Sequence, residues 1–175
     1  MDVKEAIMRR RSVRKYTPRA VSKETIRELV EAARLAPSAC NAQPSMFKIV
    51  KNSKTKAELK NNKIFKQDFV CNAPVIIVCC ANPDVYPKSK LESGFDDPYE
   101  HRALKDVSIA SQNLILRATE LGLGTCYIGW MNKNKIKTVL GIPQSYVVPF
   151  AITVGYPAEK PKQTQRKKLE KIIIK

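Results

Sequence analysis

The chain has 175 residues, with 32 Lys and Arg against 16 Asp and Glu for a formal net charge of +16. That length predicts one domain over 1–175, since domains commonly run to roughly 100–200 residues, and the apolar content suffices for a sizeable core. No apolar run approaches the roughly 20 residues of a bilayer span, and the charged start Met1-Asp2-Val3-Lys4-Glu5 lacks the apolar stretch of a secretory signal, so a cytoplasmic location and no membrane partner are expected.

Residues 2–10 read as a short helix, with Asp2 as cap and Val3 and Ile7 one turn apart on one face. Thr17-Pro18 breaks the pattern. Ser22 then caps a second helix whose apolar positions Ile26, Leu29, Val30 and Ala33 keep the helical period, and Pro37 is expected to end it. Met46 to Val50 reads as a short strand and Ser53 to Leu59 as another short helix, followed by a lysine-rich connection. Pro74 to Ala81 is apolar throughout and rich in β-branched residues, the pattern of a strand covered on both faces.

Residues 82–97 contain Asn82-Pro83, Pro87, Ser93-Gly94 and Asp96-Asp97, so a long loop is expected there. Asp97-Pro98-Tyr99-Glu100 opens the longest helix, with a cap, Pro in the first turn and Glu three places after the cap. It runs to about Leu121 and stops at Gly122. Its stripe Leu104, Val107, Leu114, Ala118 and Leu121 is broadened by Ile109, Ala110, Ile115 and Leu116, which predicts a central, largely buried helix. Thr125 to Trp130 reads as a strand, Asn132 caps a helix to Leu140, Gly141-Ile142-Pro143 stops it, and Val147 to Val154 is a further apolar strand. From Gly155-Tyr156-Pro157 the chain becomes extended and charged, with an apolar end at Ile172-Ile173-Ile174. Strands interleave with helices, so the class is mixed α and β.

The five cysteines show no CxxC spacing, and one histidine, His101, cannot complete a zinc site with them. Free thiols, mostly buried, are expected, Cys40 among the buried ones, with no metal. Gly122-Leu123-Gly124 precedes a strand rather than following one, which disfavours a Rossmann dinucleotide fingerprint. Basic charge gathers at both ends, over 9–19 and 160–175. A lysine-rich solvated surface accounts for much of it, but charge alone also admits an anionic ligand or a nucleic acid. With few aromatics and no reading module, nucleic acid is the weaker rival.

Two segments carry specific chemistry. Arg10-Arg11-Ser12-Val13-Arg14 places three guanidinium groups and a hydroxyl in five residues, which suits a phosphate, because Arg presents a planar fork of donors. Pro37-Ser38-Ala39-Cys40-Asn41-Ala42-Gln43-Pro44 is a turn of small and amide residues suited to a flat polar ligand. Together with Ala73-Pro74 before an apolar strand, Gly122-Leu123-Gly124-Thr125-Cys126-Tyr127-Ile128-Gly129, Gly141-Ile142-Pro143, Gly155-Tyr156-Pro157 and the basic tail, all in this order, the chain resembles the nitroreductase family of FMN-dependent NAD(P)H oxidoreductases.

The resemblance implies an α+β fold, a nitroreductase-like α/β/α sandwich with a mixed, mainly antiparallel central sheet. It implies a homodimer with FMN sites at the interface and C-terminal strand exchange, residues 158–175 packing on the partner and Ile172-Ile173-Ile174 adding a strand to its sheet. Carried over by motif, Arg10, Arg11, Ser12 and Arg14 would hold the FMN phosphate and ribityl chain. Pro37, Ser38, Ala39 and Asn41 would come from the other subunit; relatives often have Ser where this chain has Ala39, leaving only a backbone N–H there. Gln67 would bond the pyrimidine edge of the flavin, and Ile128-Gly129 would offer a backbone N–H to flavin N5. Arg166, and less directly Lys168, would return to the phosphate.

The implied activity is NAD(P)H-dependent reduction of nitroaromatics, quinones or flavins by a ping-pong hydride transfer in which FMN N5, not a protein residue, carries the chemistry. Same-fold relatives fragment flavin or remove halogens, so the fold does not fix the acceptor. His101 is expected to be a surface or packing residue.

Overall fold

Four strands, β1 (Ser45–Val50), β2 (Val75–Ala81), β3 (Gly124–Ile128) and β4 (Val147–Gly155), form one sheet in the order β1-β2-β4-β3. The protein is described from a computed structural model over residues 1–87 and 98–174. All three ladders are antiparallel, and the parallel element of the sheet is a bridge between Ser12 and Thr125. β2 lies between β1 and β4, and every one of its seven residues is buried, as its unbroken apolar run predicts.

Helices cover both faces, giving the α/β/α layering. On one face α2 (Lys23–Arg34) and α5 (Tyr99–Glu120) pack over Val75, Ile77 and Cys79 of β2. On the other, α3 (Ser53–Asn61), α4 (Phe69–Asn72) and α6 (Lys133–Leu140) pack over Ile76, Val78 and Cys80. Alternate residues of one strand thus serve two cores. The short α1 (Val3–Arg9) leans on α5.

Helix starts follow local chemistry. Asp2, Ser22, Asn52 and Asn132 each accept a hydrogen bond from the backbone N–H three residues on, at 2.7–3.0 Å. Gly122 and Gly141, at φ of 72° and 63°, supply the left-handed conformation that ends α5 and α6.

Several elements differ from the sequence expectation. α2 ends at Arg34, ahead of Pro37, because a proline already disfavours helix in the residue before it. α4 is a single turn inside the expected lysine-rich connection, too short to show a period. Trp130 lies outside β3, which stops at Ile128. Residues 83–85 of the expected loop form a 3₁₀ turn, and the rest of that loop from 88, with the expected cap Asp97, lies outside the described residues. Leu104 and Ile109 are 39% and 45% exposed, and the buried stripe of α5 is Ala103, Asp106, Val107, Ala110, Ser111, Leu114, Ile115 and Ala118. The described tail beyond Pro157 has no regular secondary structure apart from a 3₁₀ turn at Leu169–Lys171, and Ile172, Ile173 and Ile174 are exposed and form no strand within this chain.

Candidate active site

The basic N-terminal segment lies along the outer edge of β3. Ser12 bridges Thr125, the Val13 N–H donates to the Thr125 carbonyl at 2.9 Å, and Tyr16 bridges Pro157. Two glycines allow this approach. A Cβ on Gly124 would stand 2.8 Å from the Val13 side chain, and one on Gly155 would stand 2.7 Å from the Pro74 ring and 2.9 Å from Tyr16. The Tyr16 hydroxyl is tied to the Val13 carbonyl at 2.6 Å and to the Thr153 hydroxyl at 2.7 Å, and burial drives its pKa well upward, so it stays a neutral strut.

Ser12 bridges the residue before Cys126 of β3, and the positive charges of Arg10 and Arg14 are felt at the Cys126 thiol. Burial raises the thiol pKa, while Arg14, a hydrogen bond from Ser12 and Arg10 act in the opposite direction. Arg11 behaves differently. Its Nη1 donates to the carbonyls of Met8 and Arg10 at 2.6 and 2.8 Å, which satisfies the C-terminal end of α1 and complements its dipole. The chain's two ends do meet at this edge, but through the first residues after β4. Glu159 accepts from the Arg14 and Lys15 N–H groups at 2.6 and 3.1 Å, and the Ala158 N–H donates to the Lys15 carbonyl at 2.9 Å. Arg166 is exposed, its guanidinium bonded to Thr164 at 2.5 Å, and Lys168 is exposed at the start of the last 3₁₀ turn. Within one chain neither is brought to Arg10 and Arg14 by any bond.

Further along β3 the edge is open. Thr125 turns its carbonyl outward to Val13, and backbone direction alternates along an antiparallel ladder, so Tyr127 faces the same way; past the strand the chain turns, the Gly129 carbonyl accepting from the Met131 N–H at 3.0 Å. Ile128 is buried and Gly129 exposed. A Cβ on Gly129 would meet nothing within 4 Å. Protein packing therefore does not require a glycine here, whereas a ligand laid against the backbone would. Gln67 stands close by: Phe65 bridges Met131, and the Lys66 N–H donates to the Trp130 carbonyl at 3.2 Å. The Gln67 Oε1 is buried without a hydrogen-bond partner. An orphaned buried amide oxygen is costly, and its natural remedy is a donor on a bound molecule.

The Ser38 turn is built under backbone strain. Cys40, Asn41 and Gln43 have φ of 54°, 51° and 51°, a region that costs non-glycine residues energy. The Ser38 hydroxyl accepts from the Gln43 N–H at 2.9 Å, and the Gln43 amide donates to the Asn41 carbonyl at 3.2 Å. The expected free N–H of Ala39 is already donated to Asp106 of α5 at 3.0 Å. The Tyr86 hydroxyl bonds the same carboxylate oxygen at 2.9 Å. Pro37, Ala39 and Asn41 are exposed and Ser38 half-buried. Cys40 is exposed too, contrary to the expected buried thiol, because its left-handed backbone sits at the tip of the turn.

The two motif regions lie at opposite ends of the sheet. The Ser38 turn leads into Ser45, which pairs with Ala81, and the Asn82 N–H bonds the Pro44 carbonyl at 2.9 Å. The arginine segment meets Thr125, which pairs with Val154, itself opposite Val75. From Val75 to Ala81 a strand extends about 20 Å. One chain does not close both around a single phosphate.

Sequence reasoning missed Asp106 and Tyr86, which hold the turn. A signal existed for Asp106, a carboxylate on the buried helical stripe between Ala103 and Ala110. Among the described residues no three His, Cys, Asp or Glu side chains group as a metal site, and no helix is long and apolar enough to cross a membrane.

The nitroreductase family model matches residues 7–64 and 59–156. A protein of Methanothermobacter thermautotrophicus named for NADH dehydrogenase or NAD(P)H nitroreductase activity is 39% identical over 169 residues, covering 92% of this chain and 80% of its own. A similarly named protein of Archaeoglobus fulgidus is 34% identical over 158 residues, covering 88% and 84%. Among solved structures, a nitroreductase of Desulfovibrio desulfuricans in complex with FMN superposes with a TM-score of 0.82 at 27% identity, covering 100% of this chain and 96% of that one. The match spans the arginine segment, the left-handed turn and the open end of β3, and by it the chain belongs to the nitroreductase family.

Proposed function

We propose that this protein is an FMN-dependent oxidoreductase, a homodimer that takes reducing equivalents from NADH or NADPH and passes them to nitroaromatics, quinones or free flavin. The observation that carries this is the edge of β3: the segment Arg10 to Arg14 is held along its start by Ser12 and Val13 against Thr125, while the orphaned Gln67 oxygen and the exposed Gly129 stand at its far end. Cys126 to Gly129 spans about 10 Å along a strand, a separation suited to a ligand with a phosphate at one end and a polar ring at the other.

FMN bound there would supply the redox chemistry, the passage of reducing equivalents from a nicotinamide to an acceptor in a ping-pong cycle. Arg10 and Arg14, with the Ser12 hydroxyl, neutralise and orient the phosphate. The Gln67 Oε1 would accept from a ring N–H, and the backbone N–H of Gly129 would donate to the ring. The Ser38 turn of a second subunit closes the other side and keeps water away. Arg166 and Lys168 of the tail would add charge to the phosphate end, while the Arg11 side chain stays bonded to the end of α1.

Pairing is favoured by an apolar surface that the single chain leaves in water: Val3, Ile7 and Met8 of α1, Leu104 and Ile109 of α5, and Leu169, Ile172, Ile173 and Ile174 of the tail are all substantially exposed. Covering such area gains about 25 cal/mol per Å². The separation of the two motif regions across the sheet argues the same way, since a neighbour's turn must complete each site.

The test is an absorbance spectrum of the purified protein before and after anaerobic addition of NADH and NADPH. A flavin band that bleaches with either nucleotide and returns on adding a quinone or nitroaromatic is expected. A colourless protein that takes up no FMN overturns the proposal.

A further inference from the structure

Beside the open end of β3 lies a concavity of about 580 Å³ lined by Lys63, Phe65, Lys66, Asp68, Trp130 and Asn132, among others. Ligand sites commonly occupy about 300–1,000 Å³. Trp130 is the chain's single tryptophan, and it is 66% exposed. Its neighbour Gly129 and the Gln67 amide place this concavity next to the redox end of the site, away from the arginine segment.

The chemistry of the wall is specific. A large indole face in water invites a flat aromatic partner. The Lys66 ammonium stands 5.9 Å from the Trp130 ring centre, a cation–π distance that holds the charge at the rim of that face. Lys63, held at φ 51°, adds a second ammonium to the same lining. Among the described residues neither ammonium has a hydrogen bond or an ion pair, and Asp68 offsets only one of the two charges.

We infer that this concavity receives the 2′-phosphorylated adenosine of NADPH, with adenine on the Trp130 face and the 2′-phosphate between Lys63 and Lys66. This rests on the functional proposal above and deepens it, by making NADPH the preferred donor. NADH gains only the stacking; NADPH gains stacking and phosphate neutralisation together.

Trp130 reports on its own occupancy. In the purified holoprotein, adenosine 2′,5′-bisphosphate quenches its emission and binds about tenfold or more tightly than 5′-AMP. The ratio of kcat/KM for NADPH over NADH is expected to be about ten or more, and to fall near one in K63A/K66A, the loss appearing mainly in the KM for NADPH. W130F, which keeps an aromatic face, retains the preference, whereas W130A weakens both nucleotides. A flavin-loaded enzyme that oxidises both nucleotides equally well, or whose preference survives K63A/K66A, overturns the pocket assignment and leaves the flavoenzyme intact. A protein that takes up no FMN and oxidises neither nucleotide overturns both.

Discussion

Four cationic or polar side chains in five residues divide their work. Ser12 is held against Thr125 with the charges of Arg10 and Arg14 bearing on the neighbouring Cys126, while Arg11 satisfies the end of α1. A charge-assisted bond to phosphate is worth roughly 1.5–3 kcal/mol, so Arg10→Ala and Arg14→Ala should each release most of the FMN, measured as flavin per chain after gel filtration. Arg11→Ala should lower helix stability more than flavin content. Gln67 separates a ligand role from a structural one. Its oxygen is buried and unpaired in the free chain, so Gln67→Leu should leave the melting temperature of the apoprotein unchanged or higher, while FMN titration shows weaker binding. At this scale the arginine motif was legible because guanidinium spacing is written in the chain. The fate of the Ala39 N–H was not: its partner Asp106 is 67 residues away, and only the fold brings the two together.

Elements were legible where one local rule decides them. The apolar run of β2, the caps Asp2, Ser22 and Asn132, and the stops at Gly122 and Gly141 all act over a few residues. The α5 stripe was misjudged at Leu104 because an almost fully apolar helix does not announce which side meets the sheet. The glycine motifs acquire their physical reason from packing, since Gly124 and Gly155 make room for Val13 and Tyr16. Gly124→Ala should cost about 1–3 kcal/mol by overpacking and reduce FMN affinity as well, since the arginine segment must shift; urea denaturation and flavin titration read the two effects. Burial in β2 pushes the Cys79 thiol up to about 12 and Cys80 up to about 11 from an ordinary value near 9. Both thiols remain protonated in the fold where the unfolded chain has lost those protons. Their contribution to stability is therefore whole below pH 9 and is lost as pH rises from 9 through 11 and 12. A chemical-denaturation series over pH 8–11 should show the decline, with a smaller slope in Cys79→Ala.

At the scale of the whole molecule, the arginine segment and the Ser38 turn lie at opposite ends of one sheet. The separation of the arginine segment from the Ser38 turn by the length of β2 follows from strand order, which no single motif encodes. That is why the motifs identified the ligand chemistry while leaving the geometry of the site to the fold. The separation has a genetic consequence. In the proposed homodimer, a chain with R10A/R14A and a chain with S38A/N41A should each be defective when paired with their own kind. Co-expressed, they should complement, because one of the two sites in a mixed pair draws its arginines from one parent and its bend from the other, while the second site inherits both lesions. Random mixing should then restore about one quarter of the wild-type flavin content, and two lesions placed in the same chain should restore none beyond that of the unaltered partner.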